Sequence, residues 1–448
     1  MPSDPNLSAK LTAMPVRNIF VIALTIIVSL TCYTTASRNR YANLFAEALQ
    51  TIETQALQDV PRDELFASAM NGMTQRLDSH SRYISGDMFR IFNEDMNQEF
   101  GGVGMYVERD PKTNKLTVLA PIPDTPAFKA GIRSGDEIVS IDGNSTEGLE
   151  QPDAIDLIRG PRGAVVKVEV LRNEEELSFD LERDFIHELS VHGDFRNTDG
   201  TWNYRLKDYP RVGYIRLRQF GNKSTEEIQT ALAEIDGKVD SLIFDLRNNS
   251  GGLLDSAIDI CDMFLAPELA IVSTRGRGNK LLEEHFSSAS QSFSADKPVV
   301  VLINRDSASA SEIVSACLQD HDRAVVIGET SWGKGTVQHV IPIERGRSAL
   351  KLTTSSYWRP SGKNIDRYDP DAQKSGVWGV QPNEGMEIEL SEEMIFENRR
   401  RRSLLDLRGL VKPENLMQRD EDNLSETVDQ PLERALQHLN KSANKAAA

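Results

Sequence analysis

A serine, a lysine and a pair of glycines, each placed where an apolar run ends, are the residues of this 448-residue chain best suited to chemistry. Ser309 lies in Ser307-Ala308-Ser309-Ala310-Ser311-Glu312-Ile313, just after the apolar run 299–303 and just before an apolar helical pattern. A serine at that junction stands at the carboxyl end of a strand, where layered α/β folds place their sites. It also lies beside the free N–H groups of a helix start, which can hold an oxyanion. Read alone, Ser309 or Ser311 is better explained by a helix cap. Lys334 follows 25 positions on, between the two glycines of Ser331-Trp332-Gly333-Lys334-Gly335-Thr336. Lysine serves as a base only when neutral, and burial can lower its pKa by several units. Read alone, it suits a surface turn equally. Asp245-Leu246-Arg247-Asn248-Asn249-Ser250-Gly251-Gly252 ends another apolar run, and its Gly251–Gly252 pair offers unobstructed amides as the second half of an oxyanion hole. An ordinary strand-to-helix turn explains that pair as well.

Two polar neighbours compete for a third role. Gln338 is four positions beyond Lys334. In a helical turn the two side chains are neighbours; in an extended segment they stand roughly 13 Å apart. Asp320 is eleven positions down the helix from Ser309, roughly 16 Å along its axis, and reads as a fold-stabilising carboxylate. No Gly-x-Ser-x-Gly elbow and no His-Glu-x-x-His motif occurs, and the 7 histidines lack metal spacing. A serine enzyme here needs a base other than histidine, and neither a metal nor another cofactor is expected.

The elements that must position these residues alternate. Residues 212–216, 241–246, 299–303 and 324–327 read as strands, with helices at 253–264 and 311–318 between them. The run 241–246 has no polar alternation and should be buried on both faces. Ser224 with Glu227 three positions on is a capping box opening a helix whose Ile228, Ala231, Leu232 and Ile235 share one face. This order predicts a layered α/β domain over 188–390. Residues 41–99 are helical, broken by a turn at 78–83. Residues 100–187 form a β-rich module with strands at 116–119, 137–141, 165–171 and 177–181 and a short helix at 153–158. A polar connector, 184–210, joins it to the α/β part. From 391 to the end the chain reads as a charged helical tail, partly disordered.

Bulk properties narrow the partners. The net charge of -17 excludes a nucleic-acid role, which needs a basic face. The basic run 399–402 sits among acidic residues and reads as a solvated helix face. The 3 cysteines cannot make a disulfide framework, although a bridge between Cys261 and Cys317 stays open. Lys10 and Arg17 precede an uncharged segment, 18–36, and residues 1–17 before it read as a cytoplasmic N-terminus. That order predicts an export signal or, in preference, a retained membrane anchor, with the remainder outside the cytoplasm in the cell envelope.

Taken together, Asp245-Leu-Arg-Asn-Asn-x-Gly-Gly252, Ser307-Ala-Ser-Ala-Ser-Glu-Ile313, Gly333-Lys-Gly-Thr-Val-Gln338 and the stretch 352–362 resemble the carboxyl-terminal processing peptidases, or tail-specific proteases. The likeness spans roughly residues 41–385, with the motifs in the family's order. It implies an α+β multidomain fold: a crotonase-like α/β peptidase core, an inserted β-rich PDZ domain and a helical N-terminal region. It implies Ser309 as nucleophile, Lys334 as general base, Gln338 as the residue orienting the lysine, and Ala310, Gly251 and Gly252 as oxyanion donors. The amides of Gly101, Gly102, Val103 and Gly104 would face a substrate's terminal carboxylate, bound by strand addition. Arg159 resembles an arginine tied to a PDZ-driven switch. The implied partners are proteins or peptides with apolar C-termini, with an activator protein or homo-oligomer open. A PDZ adaptor without activity and a thioester enzyme of the same core fold are the rivals. The presence of both Ser309 and Lys334 disfavours the first, and the PDZ module and envelope signal disfavour the second.

Overall fold

The computed structural model describes residues 16–37, 40–110, 113–197, 200–288, 291–407 and 428–446, in two compact units, Met1–Tyr83 and Ile84–Ala448. In the first, the apolar segment forms the helix Val16–Ser37, whose Ile19, Phe20, Ile22 and Leu24 are exposed. Among the described residues no helix is long and apolar enough to cross a membrane, so the spanning anchor expected at 18–36 is not found. Helices Arg40–Gln55 and Arg62–Thr74 follow, joined by edge-to-face packing of Phe45 on Phe66 at 6.2 Å. The turn expected at 78–83 is built by Asp78, whose carboxylate accepts the His80 and Ser81 amides and the Ser81 hydroxyl.

In the second unit a central sheet runs Val191–His192, Val212–Leu217, Ser241–Asp245, Val299–Ile303, Ala324–Gly328. The last four strands are parallel and the first is antiparallel. Ser241–Asp245 and Val299–Ile303 are buried at every position, as unbroken apolar runs require when both faces are covered. One face packs on helices Ser224–Ile235, Leu254–Asp262 and Ala310–Asp320, through Ile228, Leu232, Ile260, Ile313 and Val314. The other face carries Tyr214, Ile243, Val300, Leu302 and Ile327. Because neighbouring strands are in register, Asp245 beside Leu302 and Ile303 beside Gly328, their carboxyl ends open onto one edge. The chain leaves that edge in three turns holding Gly251–Gly252, Ser309 and Lys334. A second sheet follows, with Ser348–Trp358 between Ala270–Arg275 and Thr336–Ile343.

The β-rich module has the strand order Met105–Arg109, Leu116–Pro121, Glu137–Ile141, Val165–Arg172, Glu175–Glu182. Its core is Leu116, Val118, Ile138, Ile141, Val166, Val168 and Val170, alternating as half-buried strands do. Met105–Arg109 is an edge strand, and the helix Gln151–Ile158 lies against it, with Gln151 donating to the Val107 carbonyl at 3.2 Å. The expected short helix is this one.

Two expectations change. Glu227 does not close a capping box with Ser224. Its carboxylate accepts instead from Gln98, His187, the Ser190 amide and hydroxyl, and the Val191 amide, tying down a connector whose polar residues need partners once packed. The basic run 399–402 is not a solvated face throughout. Arg402, in the helix Glu392–Leu407, is largely buried and donates to the Gly193 and Asp194 carbonyls at 2.6 and 2.8 Å. In the tail, Gln430–Ala446 is a helix whose Leu432, Ala435, Leu436 and Leu439 cover the open face of the central sheet. Their i, i+3, i+4, i+7 spacing is that of a one-sided apolar helix.

Candidate active site

Ser309 is the cap residue of the helix Ala310–Asp320 and is 5% exposed. Its backbone sits at φ 56°, ψ −115°, a conformation an L-residue adopts only when its surroundings hold it there. Those surroundings are the neighbouring turn. A Cβ on Gly251, itself at φ +101°, would lie 2.8 Å from both the Ser309 Cβ and the Ala308 carbonyl oxygen, so only glycine allows this approach. The flanking serines bolt the two turns together: Ser307 donates to the Leu246 carbonyl and Ser311 to the Asn249 carbonyl, each at 2.8 Å. Ser307 and Ser311 are thereby committed to structure. Ser309 instead faces the buried Tyr357 phenol, whose pKa burial pushes up to about 12 against the lowering effect of the Ser309 contact.

Glu312 organises the site. It is wholly buried, and its carboxylate accepts four hydrogen bonds. Oε2 takes the Ser309 and Lys334 amides, both at 2.8 Å, while Oε1 takes the Gly333 amide at 2.6 Å and the Ser331 hydroxyl at 2.5 Å. One carboxylate thus fastens the backbone of the serine to that of the lysine, across 25 positions of chain. Burial raises the Glu312 carboxyl above the ordinary glutamate range, against the lowering effect of these donors. Gly333, at φ +82°, and Gly335 give the lysine loop its path, since a Cβ on either would strike Arg367 or Asp366. Burial lowers the Lys334 ammonium below the usual lysine range, opposed by the Glu312 charge. A half-buried lysine pushed toward neutrality is the kind of base a serine can use.

The other expected residues fall as follows. The Gly251 amide donates to Asn249 Oδ1 at 2.8 Å, so that donor is occupied. The Ala310 amide, first in its helix, and the Gly252 amide have no partner among the described residues. Gln338 lies in the strand Thr336–Ile343, which settles the extended alternative, and its amide donates to the Thr336 and Thr353 hydroxyls at 2.8 and 3.4 Å. Asp320 is at the far end of the helix, forked by Arg359 at 2.7 and 2.9 Å, a structural tie as its distance implied. Cys261 and Cys317 are free and buried, with the Cys317 side chain beside Cys261. Gly101 and Gly102 pair with Phe185 and Asp184 in a two-stranded ladder, leaving Val103 and Gly104 to lead into the edge strand Met105–Arg109. Arg159 lies over the Phe100 ring at 4.4 Å.

Sequence reasoning passed over Glu312 and Tyr357. Glu312 carried a signal, a charged residue three positions past Ser309 inside an apolar helix face, whereas Tyr357 became visible only when the second sheet folded against the turn.

Residues 211–383 match the model of peptidase family S41, and residues 117–172 match a PDZ domain. A carboxy-terminal-processing protease of Bartonella bacilliformis is 38% identical over 361 residues, 78% of this chain and 79% of its own length. A carboxyl-terminal-processing protease of Synechocystis is 32% identical over 330 residues, 73% of this chain and 72% of its own. Among solved structures, a photosystem II D1 C-terminal processing protease aligns with a TM-score of 0.42 at 25% identity, covering 77% of this chain and 92% of its own.

Proposed function

Since the chain belongs to peptidase family S41, we propose that it is a carboxyl-terminal processing endopeptidase working through Ser309 and Lys334. The observation that carries the residue assignment is Glu312, whose one carboxylate holds the amides of both residues. In this reading neutral Lys334 takes the Ser309 proton as Oγ attacks the scissile carbonyl. The Ala310 and Gly252 amides receive the oxyanion. Lys334 then returns the proton to the departing amine, and water clears the acyl-enzyme. Gln338, whose contact with Lys334 required a helical turn, makes no hydrogen bond to Lys334 among the described residues; its amide donates to the Thr336 and Thr353 hydroxyls, so its part is to hold the strand that follows. No step calls for a metal or another cofactor.

The PDZ domain, over residues 100–187, presents the substrate. An apolar C-terminus adds as a strand to the free edge of Met105–Arg109, beside the helix Gln151–Ile158, with its carboxylate at Val103–Gly104. Arg159, stacked on Phe100 at the entry of this loop, is the residue through which occupancy would be sensed. An envelope location outside the cytoplasm completes the reading, supported by the positive-then-apolar order of the N-terminal segment, which suits an export signal. Cell fractionation of the full chain tests it, and recovery only in the cytoplasm would refute it.

The activity test uses an unfolded substrate with an apolar C-terminus. Ser309→Ala and Lys334→Ala should each abolish cleavage, Gln338→Ala should leave it close to wild type, and a chelator should change nothing. Near-normal cleavage by Lys334→Ala would remove the dyad.

A further inference from the structure

The tail beyond residue 391 has no place in the chemistry above, yet its side chains reach the turns that carry it. Arg247, two positions past the strand Ser241–Asp245, opens the turn that ends in Gly251–Gly252. Its guanidinium is held on both sides. Asp245 takes Nε and Nη2 at 3.0 and 2.6 Å, and Asp429 takes Nη1 and Nη2 at 2.7 and 3.0 Å. All three side chains are largely buried, at 12%, 2% and 18% exposure for Arg247, Asp245 and Asp429. A two-pronged pair shielded from water fixes geometry in a way that an exposed pair does not. A weaker tie comes from the helix Glu392–Leu407: Arg399 donates to Asn248 Oδ1 at 3.1 Å and pairs with Asp306. Asn248 is in turn bonded reciprocally to Asn304, amide to carbonyl in both directions, at 2.9 and 3.0 Å. Both turns at the strand ends are therefore gripped from outside by the tail.

We propose that the carboxyl-terminal segment is part of the catalytic unit, with Asp429 a positioning residue that, by capturing Arg247, fixes the turn whose Gly251 packs on Ser309. The inference rests on the Ser309–Lys334 reading and adds a residue 182 positions from its partner Arg247. Asp429 has a second task, which makes it testable. Its carboxylate also accepts the Leu432 amide at 3.2 Å and its carbonyl the Glu433 amide at 2.9 Å, so it starts the terminal helix. Asparagine caps a helix as well as aspartate does, but cannot take both arms of an arginine. Asp429→Asn thus spares the helix and loosens the arginine, while Asp245 keeps Arg247 from being stranded.

The experiment measures kcat, KM and the labelling rate of Ser309 by a fluorophosphonate in the full chain. Asp429→Asn should lower kcat and labelling together by about 10- to 100-fold, the effect of shifting a donor by a fraction of an ångström to one ångström, with KM changed less than about twofold. Asp429→Glu should recover part of the loss. Arg434→Ala, which removes a bond from the same helix to the Gly385 carbonyl, should leave kcat unchanged. Wild-type kcat and labelling in Asp429→Asn would overturn the proposal, as would an equal loss in Arg434→Ala, which would mean that any loosening of the helix is felt. Ser309→Ala separates the two levels: if it still cleaves, the dyad reading has failed, and if it is inert while Asp429→Asn is unimpaired, only the positioning role has.

Discussion

The two ends of the helix Ala310–Asp320 each carry a carboxylate, and they do opposite work. At the amino end Glu312 accepts backbone amides and one hydroxyl, with no ion pair to its oxygens among the described residues. At the carboxyl end Asp320 accepts a forked arginine and the Ser361 amide. The first arrangement joins two turns without neutralising the carboxylate, so the charge stays available to act on Lys334. The second satisfies the charge completely and ties one stretch of surface to another. A buried acid without a countercharge costs folding energy and persists only when something else requires it. An acid's partners tell more of its role than its sequence distance from a nucleophile.

Breaking the amino end should have the largest effect. Glu312→Gln keeps the shape, but its NH2 group cannot accept the hydrogen bonds that one carboxylate oxygen receives. We expect kcat to fall about 100- to 1,000-fold, comparable to losing an oxyanion donor. The pH profile sharpens the reading. The Glu312 charge raises the lysine's pKa, so removing it should lower that pKa further. Activity needs neutral Lys334 and rises as pH passes its pKa; the acid limb of kcat/KM should therefore move to lower pH. A limb that stays, or moves upward, would dissociate the two residues.

Breaking the carboxyl end should cost stability and spare chemistry. Burial would raise the Asp320 pKa, but the Arg359 contact and the Ser361 amide hold it below the ordinary aspartate range. A depressed carboxyl contributes stability above its unfolded pKa of about 4, lost as pH falls through the folded value. Arg359→Ala leaves Asp320 half-shielded without its partner and should cost about 2–3 kcal/mol at pH 7, with kcat near normal well below the midpoint of unfolding. Urea unfolding at pH 7 and near pH 3 checks both parts: the difference between wild type and variant should shrink at the lower pH.

The sequence was legible where local rules and burial agree. Unbroken apolar runs became the central strands, and serine and glycines at their ends became the turns of the site. Gln338 was ambiguous because four positions mean contact in a helix and separation in a strand, and only the pairing of Thr336–Ile343 with Ser348–Trp358 decides. Arg402 was misread because charge dominates its stretch of sequence; burial of an arginine depends on carbonyls hundreds of positions away. The apolar stripe of Leu432, Ala435, Leu436 and Leu439 was present in the sequence, and charged neighbours masked it.

Tyr357 offers the smallest break, and it probes the amino end from the other side. Its phenol is buried, stays protonated to about pH 12 and faces Ser309. A neutral hydroxyl contact of this kind contributes about 1 kcal/mol or less, so Tyr357→Phe should slow cleavage by about three- to sixfold. The ring also fills the core beneath the turn, and phenylalanine keeps that packing, so thermal unfolding should shift little. The contact acts on Ser309 rather than on the lysine, and for that reason the acid limb of kcat/KM should stay where it is in wild type. A shifted limb would place Tyr357 with Glu312, as a group acting on Lys334, and the division of labour around the serine would have to be redrawn.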